Sequence, residues 1–249
     1  MLKSKSNRLA VYDFKQSIIG LGWTFVWFLG ITILIPNIFS LTFNGDVNFN
    51  LADIDFTIVA GFFLFIDALA FKYDNFKWTI QNGVSRRTAW WAKIKGTLLL
   101  SAVILLIDLV EKILQGKSLT NNVLTGAASH TFGAGIVNVL ESYIGLLVIV
   151  TTGLEIGYAM ALLSKRGKAI VIIGVPVALI VIVTYLVRAL IHANIDWVGI
   201  TNFVKTVLGY SDKTGTFSQF NFSIIMLVWI LICTGLSYWF SQKMKLRRD

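Results

Sequence analysis

The sequence has little of the material from which enzyme active sites and disulfide frameworks are built. It contains one cysteine, Cys233, so no disulfide can form within the chain. The two histidines, His130 and His192, lie far apart, and neither has a second ligand at metal-site spacing. Zinc-protease, serine-hydrolase and phosphate-loop motifs are all missing. We therefore predict that the chain is not an enzyme and has no catalytic residues, no metal, no cofactor and no ATPase site of its own.

Charge is also scarce, and long apolar runs take its place. Only 14% of the residues are charged and 56% are hydrophobic, whereas soluble domains carry about 25% charge. A bilayer core about 30 Å thick requires roughly 20 apolar residues of helix. Six stretches approach that length, of which the second is the shortest: 17–40, 56–72, 96–115, 135–162, 169–192 and 223–241. The sequence predicts an all-α, multi-pass membrane protein with one transmembrane domain, 1–249.

The positions of the basic residues predict how the chain is threaded. Seventeen of the 22 Lys and Arg residues fall in four clusters: 1–16, 72–95, 163–168 and 242–249. Loops that remain in the cytoplasm accumulate Lys and Arg. If all four clusters are cytoplasmic, the chain crosses the membrane six times and both termini face the cytoplasm. The net charge of +9 is then explained by membrane topology, and no nucleic-acid partner is expected.

Residues 8–20 precede the first span. Val11, Phe14, Ile18 and Leu21 recur at helical spacing on one face, with polar residues between them. This pattern predicts an amphipathic helix that leads into span 1. The alternative is a charged overhang of that span.

The cytoplasmic loop between spans 2 and 3 has structure of its own. Tyr73, Phe76 and Ile80 form an apolar stripe, and Gly83 is suited to end the helix in the left-handed conformation. Ser85 is a candidate N-cap for the next helix. The loop is therefore a short surface helix, a glycine break and a capped restart. It suits docking of a cytoplasmic partner, but a plain loop with a lipid-facing helix fits its composition equally well.

Ionisable residues inside the spans are costly unless paired, protonated or facing water. They are Asp67, Asp108, Glu111, Glu141, Glu155 and Arg188. Glu155 is the deepest, about 15 Å from Lys165 by helix rise. Its neighbours Gly153 and Gly157 form a small-residue pair that would let another helix approach closely, on the side away from Glu155. We interpret Glu155 as a structural partner or as part of a transport path, with Asp67 a second candidate for such a path.

The chain resembles the six-span permease subunits of ABC exporters of the type found in Gram-positive bacteria, the type-2 permease family. The resemblance is carried by segment 8–20, the run Phe76-Lys-Trp-Thr-Ile-Gln-Asn-Gly-Val-Ser-Arg-Arg-Thr88, the basic turn 164–168 and the long outer segment between spans 5 and 6. The second of these is similar to a Gln-Asn-Gly-Ile/Val-Ser-Arg run common in such permeases. In topology the resemblance covers nearly the whole chain, but the motif is about a dozen residues.

The resemblance implies a partner and a site. Segment 73–85 would be the coupling helix, seated in a cleft of a separate ATPase subunit that binds ATP. The implied contact residues are Phe76, Ile80, Gln81, Asn82, Gly83, Val84, Ser85, Arg86 and Arg87, with Lys165 and Arg166 as a smaller second contact. Two permease copies, identical or related, would enclose the route across a bacterial plasma membrane. The cargo, whether peptide, lipid or drug-like, is left open.

Two other functions fit the sequence. One is an ion-coupled secondary transporter that uses Glu155, Asp67 or Asp108 as its coupling carboxylate. The absence of a two-half sequence repeat weighs against it. The other is a membrane immunity or scaffold protein that transports nothing.

Overall fold

The computed structural model describes residues 4–43, 56–70, 73–114, 132–192, 197–211 and 216–244, and almost all of them are helical. The first half contains α1 (Lys5–Leu29), a π-helical turn (Gly30–Leu34), α2 (Ile35–Phe43), α3 (Phe56–Leu69), α4 (Tyr73–Gln81) and α5 (Arg86–Leu114). The second half contains α6 (Phe132–Leu162), α7 (Lys165–His192), α8 (Trp197–Leu208), β1 (Tyr210–Ser211), β2 (Thr216–Phe217) and α9 (Gln219–Lys243). The two strands form a small antiparallel pair.

Segment 8–20 is part of one continuous helix, α1, rather than a separate element before the first span. Its apolar residues Phe14, Ile18 and Leu21 belong to or pack against the protein core, and α1 packs most extensively on α5. The helix widens into the π-turn just before Pro36. Because proline has no N–H to donate to the preceding turn, the hydrogen-bond pattern must change there.

The core lies where α1, α3, α5 and α6 meet. Its largest fully buried side chains include Leu64, Leu100, Ile104 and Leu154, which come from α3, α5 and α6. Helix α9 joins this group mainly through α6, and the α6–α9 pair is the most extensive helix contact of the described chain.

Four helical segments of the described chain are long and apolar enough to cross a membrane: Lys5–Leu34, Gly135–Leu162, Arg166–Arg188 and Phe220–Lys243. These segments define an integral membrane protein. Two further stretches that the sequence predicts as spans, α3 and α5, are not among these four segments. Helix α3 is apolar but has only 14 residues. Helix α5 has 29 residues, and Asp108, Glu111 and Lys112 are grouped in its last two turns.

Helices α7 and α8 lie outside the core. The apolar stretch of α7 is not buried by the rest of the described chain, as expected for a helix that faces lipid or another subunit. Among the described elements, helix α8 packs mainly against β1 and α9, and only to a small extent. Gly209 ends α8 with a φ of +66°. That conformation favours glycine and lets the chain turn directly into β1.

Candidate docking site and intramembrane polar groups

The break between α4 and α5 is built from local hydrogen bonds. Gly83 has a φ of +74° and donates its N–H to the Ile80 carbonyl oxygen at 3.0 Å. The N–H of Val84 donates to the Thr79 carbonyl oxygen at 3.3 Å, which completes a Schellman motif. Ser85 then caps α5, because its hydroxyl accepts from the Thr88 N–H at 3.1 Å. The helix end and restart predicted from the sequence are confirmed.

Helix α4 has one buried face and one exposed face. Phe76 is only 7% exposed and belongs to the core cluster, and Ile80 packs against the same cluster. Thr79 is buried beside them. On the opposite face Trp78 is 60% exposed. The exposed face also includes Gln81, Asn82, Gly83 and Ser85, and it continues to Arg87 after half-buried Val84.

Trp78 was not among the contact residues predicted from the sequence. The apolar stripe of α4 indicates which face of the helix is buried, and Trp78 does not belong to that stripe. A large aromatic side chain on the polar side of a short amphipathic helix is the signal that could have identified it. Tryptophan is among the residues that most often dominate binding energy at protein interfaces.

Arg86 and Trp90 connect the start of α5 to the end of α9. The Arg86 guanidinium donates to the Gln242 carbonyl oxygen at 2.7 Å. A cation is favourable at this helix C-terminus, where carbonyl groups lack partners. The Trp90 indole donates to the Ser237 hydroxyl at 3.2 Å, and its ring packs edge-on against Tyr238. Of the two predicted arginines, Arg86 thus contacts α9 and Arg87 is exposed.

The predicted second contact lies at the start of α7. Lys165 and Arg166 are in its first turn, and Arg166 is exposed. The Ser164 hydroxyl accepts from the Gly167 N–H at 3.1 Å and caps the helix. Two cations at a helix N-terminus oppose the helix dipole.

Asp67 joins three helices at the end of α3. Its carboxylate accepts from the Ser17 hydroxyl on α1 at 3.0 Å and pairs with the Lys93 ammonium on α5 at 3.3 Å. At the far end of α5, Asp108 pairs with Lys112 at 2.8 Å and accepts from the Thr57 hydroxyl at 3.1 Å. Both carboxylates therefore have partners within the bundle.

Glu155 and the two glycines near it face different helices. The Glu155 carboxylate lies on the side of α6 near the Cys233 thiol of α9. A Cβ atom added at Gly157 would lie 2.9 Å from the backbone oxygens of Ala68 and Leu69 on α3. A Cβ atom added at Gly153 would lie equally close to the Ala68 side chain. Helix α6 thus presents its small residues to α3 and its acid to α9.

A polar seam runs between α6 and α9 around Glu155. The Thr152 hydroxyl accepts from the Trp229 indole at 2.9 Å and lies 3.9 Å from the Cys233 sulfur atom. Further along the pair, the Ser223 hydroxyl donates to the buried Glu141 carboxylate at 3.3 Å. These contacts join the two helices by polar as well as apolar groups.

In the described ranges no three His, Cys, Asp or Glu side chains are grouped so that they could hold a metal ion. No family model, no curated protein and no solved structure matches this chain. The features of the described chain that bear on its function are the membrane-length helices, the exposed face of α4 and the polar groups between the helices.

Proposed function

We propose that this chain is the membrane-spanning subunit of an ATP-driven ABC transporter, an exporter in a bacterial plasma membrane. The observation that carries the proposal is the α4–Gly83–α5 break. It buries Phe76 in the bundle and leaves Trp78 exposed, on the side that would face the cytoplasm in this topology. The ATPase that binds and hydrolyses ATP would be a separate subunit seated on this face.

The proposed topology has six spans with both termini in the cytoplasm. The four membrane-length helices supply spans 1, 4, 5 and 6, and α3 and α5 supply spans 2 and 3. At 1.5 Å per residue α3 covers about 21 Å, which is shorter than a typical hydrocarbon core. Flanking residues and local thinning of the bilayer accommodate such a mismatch at modest cost. The four basic clusters then all lie on the cytoplasmic side.

The contacts of the break support a mechanical role. Movement of α4 would be transmitted through Phe76 into the core formed by α1, α3, α5 and α6. It would reach α9 as well, since Arg86 and Trp90 hold the last turns of that helix. A second permease copy, identical or related, would complete the transport route. Peptides, lipids and drug-like molecules remain candidate cargoes.

Co-purification from mild detergent tests this proposal. Tagged protein, expressed with its neighbouring genes, should retain a subunit with Walker ATPase motifs. Trp78→Ala should reduce the recovered ATPase at least about tenfold, because interface tryptophans often contribute about 2 kcal/mol or more. Trp23→Ala is the matched control: Trp23 is 61% exposed on α1, away from the break, and its loss should leave recovery unchanged.

Two results would contradict the proposal. One is recovery of wild-type protein with no Walker-motif subunit, which would favour the ion-coupled transporter or the scaffold. The other is undiminished recovery of the ATPase with Trp78→Ala, which would exclude the exposed face of α4 as the docking site. Equal expression and membrane insertion of the variants must be checked by quantifying each protein in washed membranes.

A further inference from the structure

A cavity of about 580 Å³ lies between α1, α3, α4 and α5, and Tyr158 of α6 contributes to its wall. This volume falls in the range of about 300–1,000 Å³ that is typical of ligand sites. Exposed Tyr12 and Trp78 stand among the lining residues and mark its opening. Trp78 also belongs to the exposed face of α4 proposed for docking, whereas the charged lining residues on α1, α3 and α5 lie outside that face.

One part of the cavity is charged. In the described chain, its charged lining residues are Asp13, Asp67 and Lys93, two carboxylates and one ammonium group. The Lys93 ammonium lies 3.3 Å from the Asp67 carboxylate, so cation and anion share one wall. Tyr12 adds a hydroxyl that accepts from the Gln16 amide at 2.8 Å and keeps its own proton to donate.

The other part is apolar. Gly20, Phe63 and Ile66 line it, and α1 runs along both parts. Gly20 is seven residues beyond Asp13, about 10 Å further along the helix. The charged groups therefore lie toward one end of the cavity, and the lining residues around Gly20, further along α1 in the direction of the membrane, are apolar. A ligand that fits must be amphiphilic, with a compact ionic head and an apolar body.

The charged residues that line the cavity restrict the chemistry of the ligand's ionic head. A wall that holds both carboxylates and an ammonium group is complementary to a head that itself carries both signs of charge, rather than to a purely anionic head. Lys93 and the Tyr12 hydroxyl are suited to a phosphate oxygen, since both donate hydrogen bonds. A primary ammonium group has three N–H donors for carboxylates, whereas a trimethylammonium group has none.

We propose that this cavity binds the headgroup of an aminophospholipid, with its primary ammonium group at Asp13 and Asp67 and its phosphodiester near Lys93. The acyl chains extend along the wall formed by Gly20 and Phe63. Phosphatidylethanolamine and lysyl-phosphatidylglycerol are two membrane lipids that present this chemistry. The lipid is a bound ligand at the membrane surface, whether or not an ATPase docks beside it.

Native mass spectrometry of the purified full-length chain tests the proposal without a partner protein. In separate arms, delipidated protein is mixed with each of four lipids of identical acyl chains: phosphatidylethanolamine, lysyl-phosphatidylglycerol, phosphatidylcholine and phosphatidylglycerol. Either aminolipid, tested separately, should be retained about tenfold more than phosphatidylcholine, a factor that corresponds to 1.4 kcal/mol. Comparison of the two aminolipid arms shows which of the two lipids the cavity prefers. Equal retention of phosphatidylethanolamine and phosphatidylcholine together with no excess of lysyl-phosphatidylglycerol, or a preference for phosphatidylglycerol, overturns the proposal.

Variants locate the binding. Asp13→Asn removes one carboxylate, and Ala89→Phe fills the cavity from α5 without changing its charge. Either change should abolish the preference for the aminolipid. Glu111→Gln is the matched control, a carboxylate-to-amide change at the far end of α5, and should leave the preference intact. If Ala89→Phe protein, shown to be folded by its circular dichroism, keeps the preference, the lipid binds elsewhere and the proposal is wrong.

Discussion

The close contact between α6 and α3 gives the sharpest test of the packing. Gly157 faces the end of α3, where an added Cβ would lie 2.9 Å from two backbone carbonyl oxygens. A side chain can rotate out of such a contact, but backbone oxygens held in a helix cannot. Gly157→Ala therefore forces the two helices apart. Gly145 lies on the same helix, and a Cβ there would meet nothing within 4 Å.

The comparison of Gly157→Ala with Gly145→Ala isolates the steric cost. Each change replaces a helical glycine with alanine and gains about 1 kcal/mol of helix propensity. Since that gain is common to both, the difference between the variants is the cost of overpacking, about 1–3 kcal/mol. For a chain of this size each kcal/mol shifts Tm by about 2–4 °C. Gly157→Ala should therefore melt roughly 2–12 °C below Gly145→Ala.

The assay is thermal unfolding of both purified variants and of the wild type in one detergent, followed by circular dichroism or by a thiol probe of Cys233, which is buried. Gly145→Ala should be as stable as the wild type or slightly more stable. If Gly157→Ala melts at the temperature of Gly145→Ala, α3 does not approach α6 as described. The proposal of close small-residue packing would then be refuted, whatever the protein transports.

Two further predictions concern local contacts, and both are measured as changes in the free energy of unfolding. Ser85→Ala should destabilise the protein by about 1 kcal/mol because it removes the N-cap of α5, and Ser85→Asp, which keeps an acceptor, should restore most of that loss. Lys93→Met and Asp67→Asn should show a coupling energy of about 0.5–3 kcal/mol in a double-mutant cycle, since the two side chains pair across α5 and α3. If the free-energy losses of the two single variants simply add in the double variant, the ion pair contributes nothing to stability.

Local structure was predictable wherever the signal lies within a few residues. Gly83 and Ser85 determine a helix end and a helix start through their own backbone and hydroxyl chemistry, and both predictions are confirmed. The helical stretches of the predicted spans could be recognised because long apolar runs have few alternatives in a membrane protein. The six-span topology built from them stays a prediction.

Contacts between distant parts of the chain could not be predicted in the same way. Arg86 and Gln242 are 156 residues apart, and no periodic pattern links them. The same holds for Trp90 and Ser237, and for the Asp67 carboxylate that accepts from Ser17. A single sequence shows that these groups are polar and near membrane boundaries. It does not show which helices become neighbours, because that depends on packing of the whole bundle.

These distant contacts give the proposed coupling a specific physical form. If an ATPase engages Trp78, a displacement of α4 is resisted at two places: by Phe76, which is buried in the core, and by the Arg86 and Trp90 contacts to α9. Packed interiors deform little, so such a displacement moves whole helices instead of being absorbed locally. Because α9 also packs along α6, the seam that contains Glu155 lies on the path of that movement. In such a transport cycle Glu155 would change its surroundings even if it did not line the route itself.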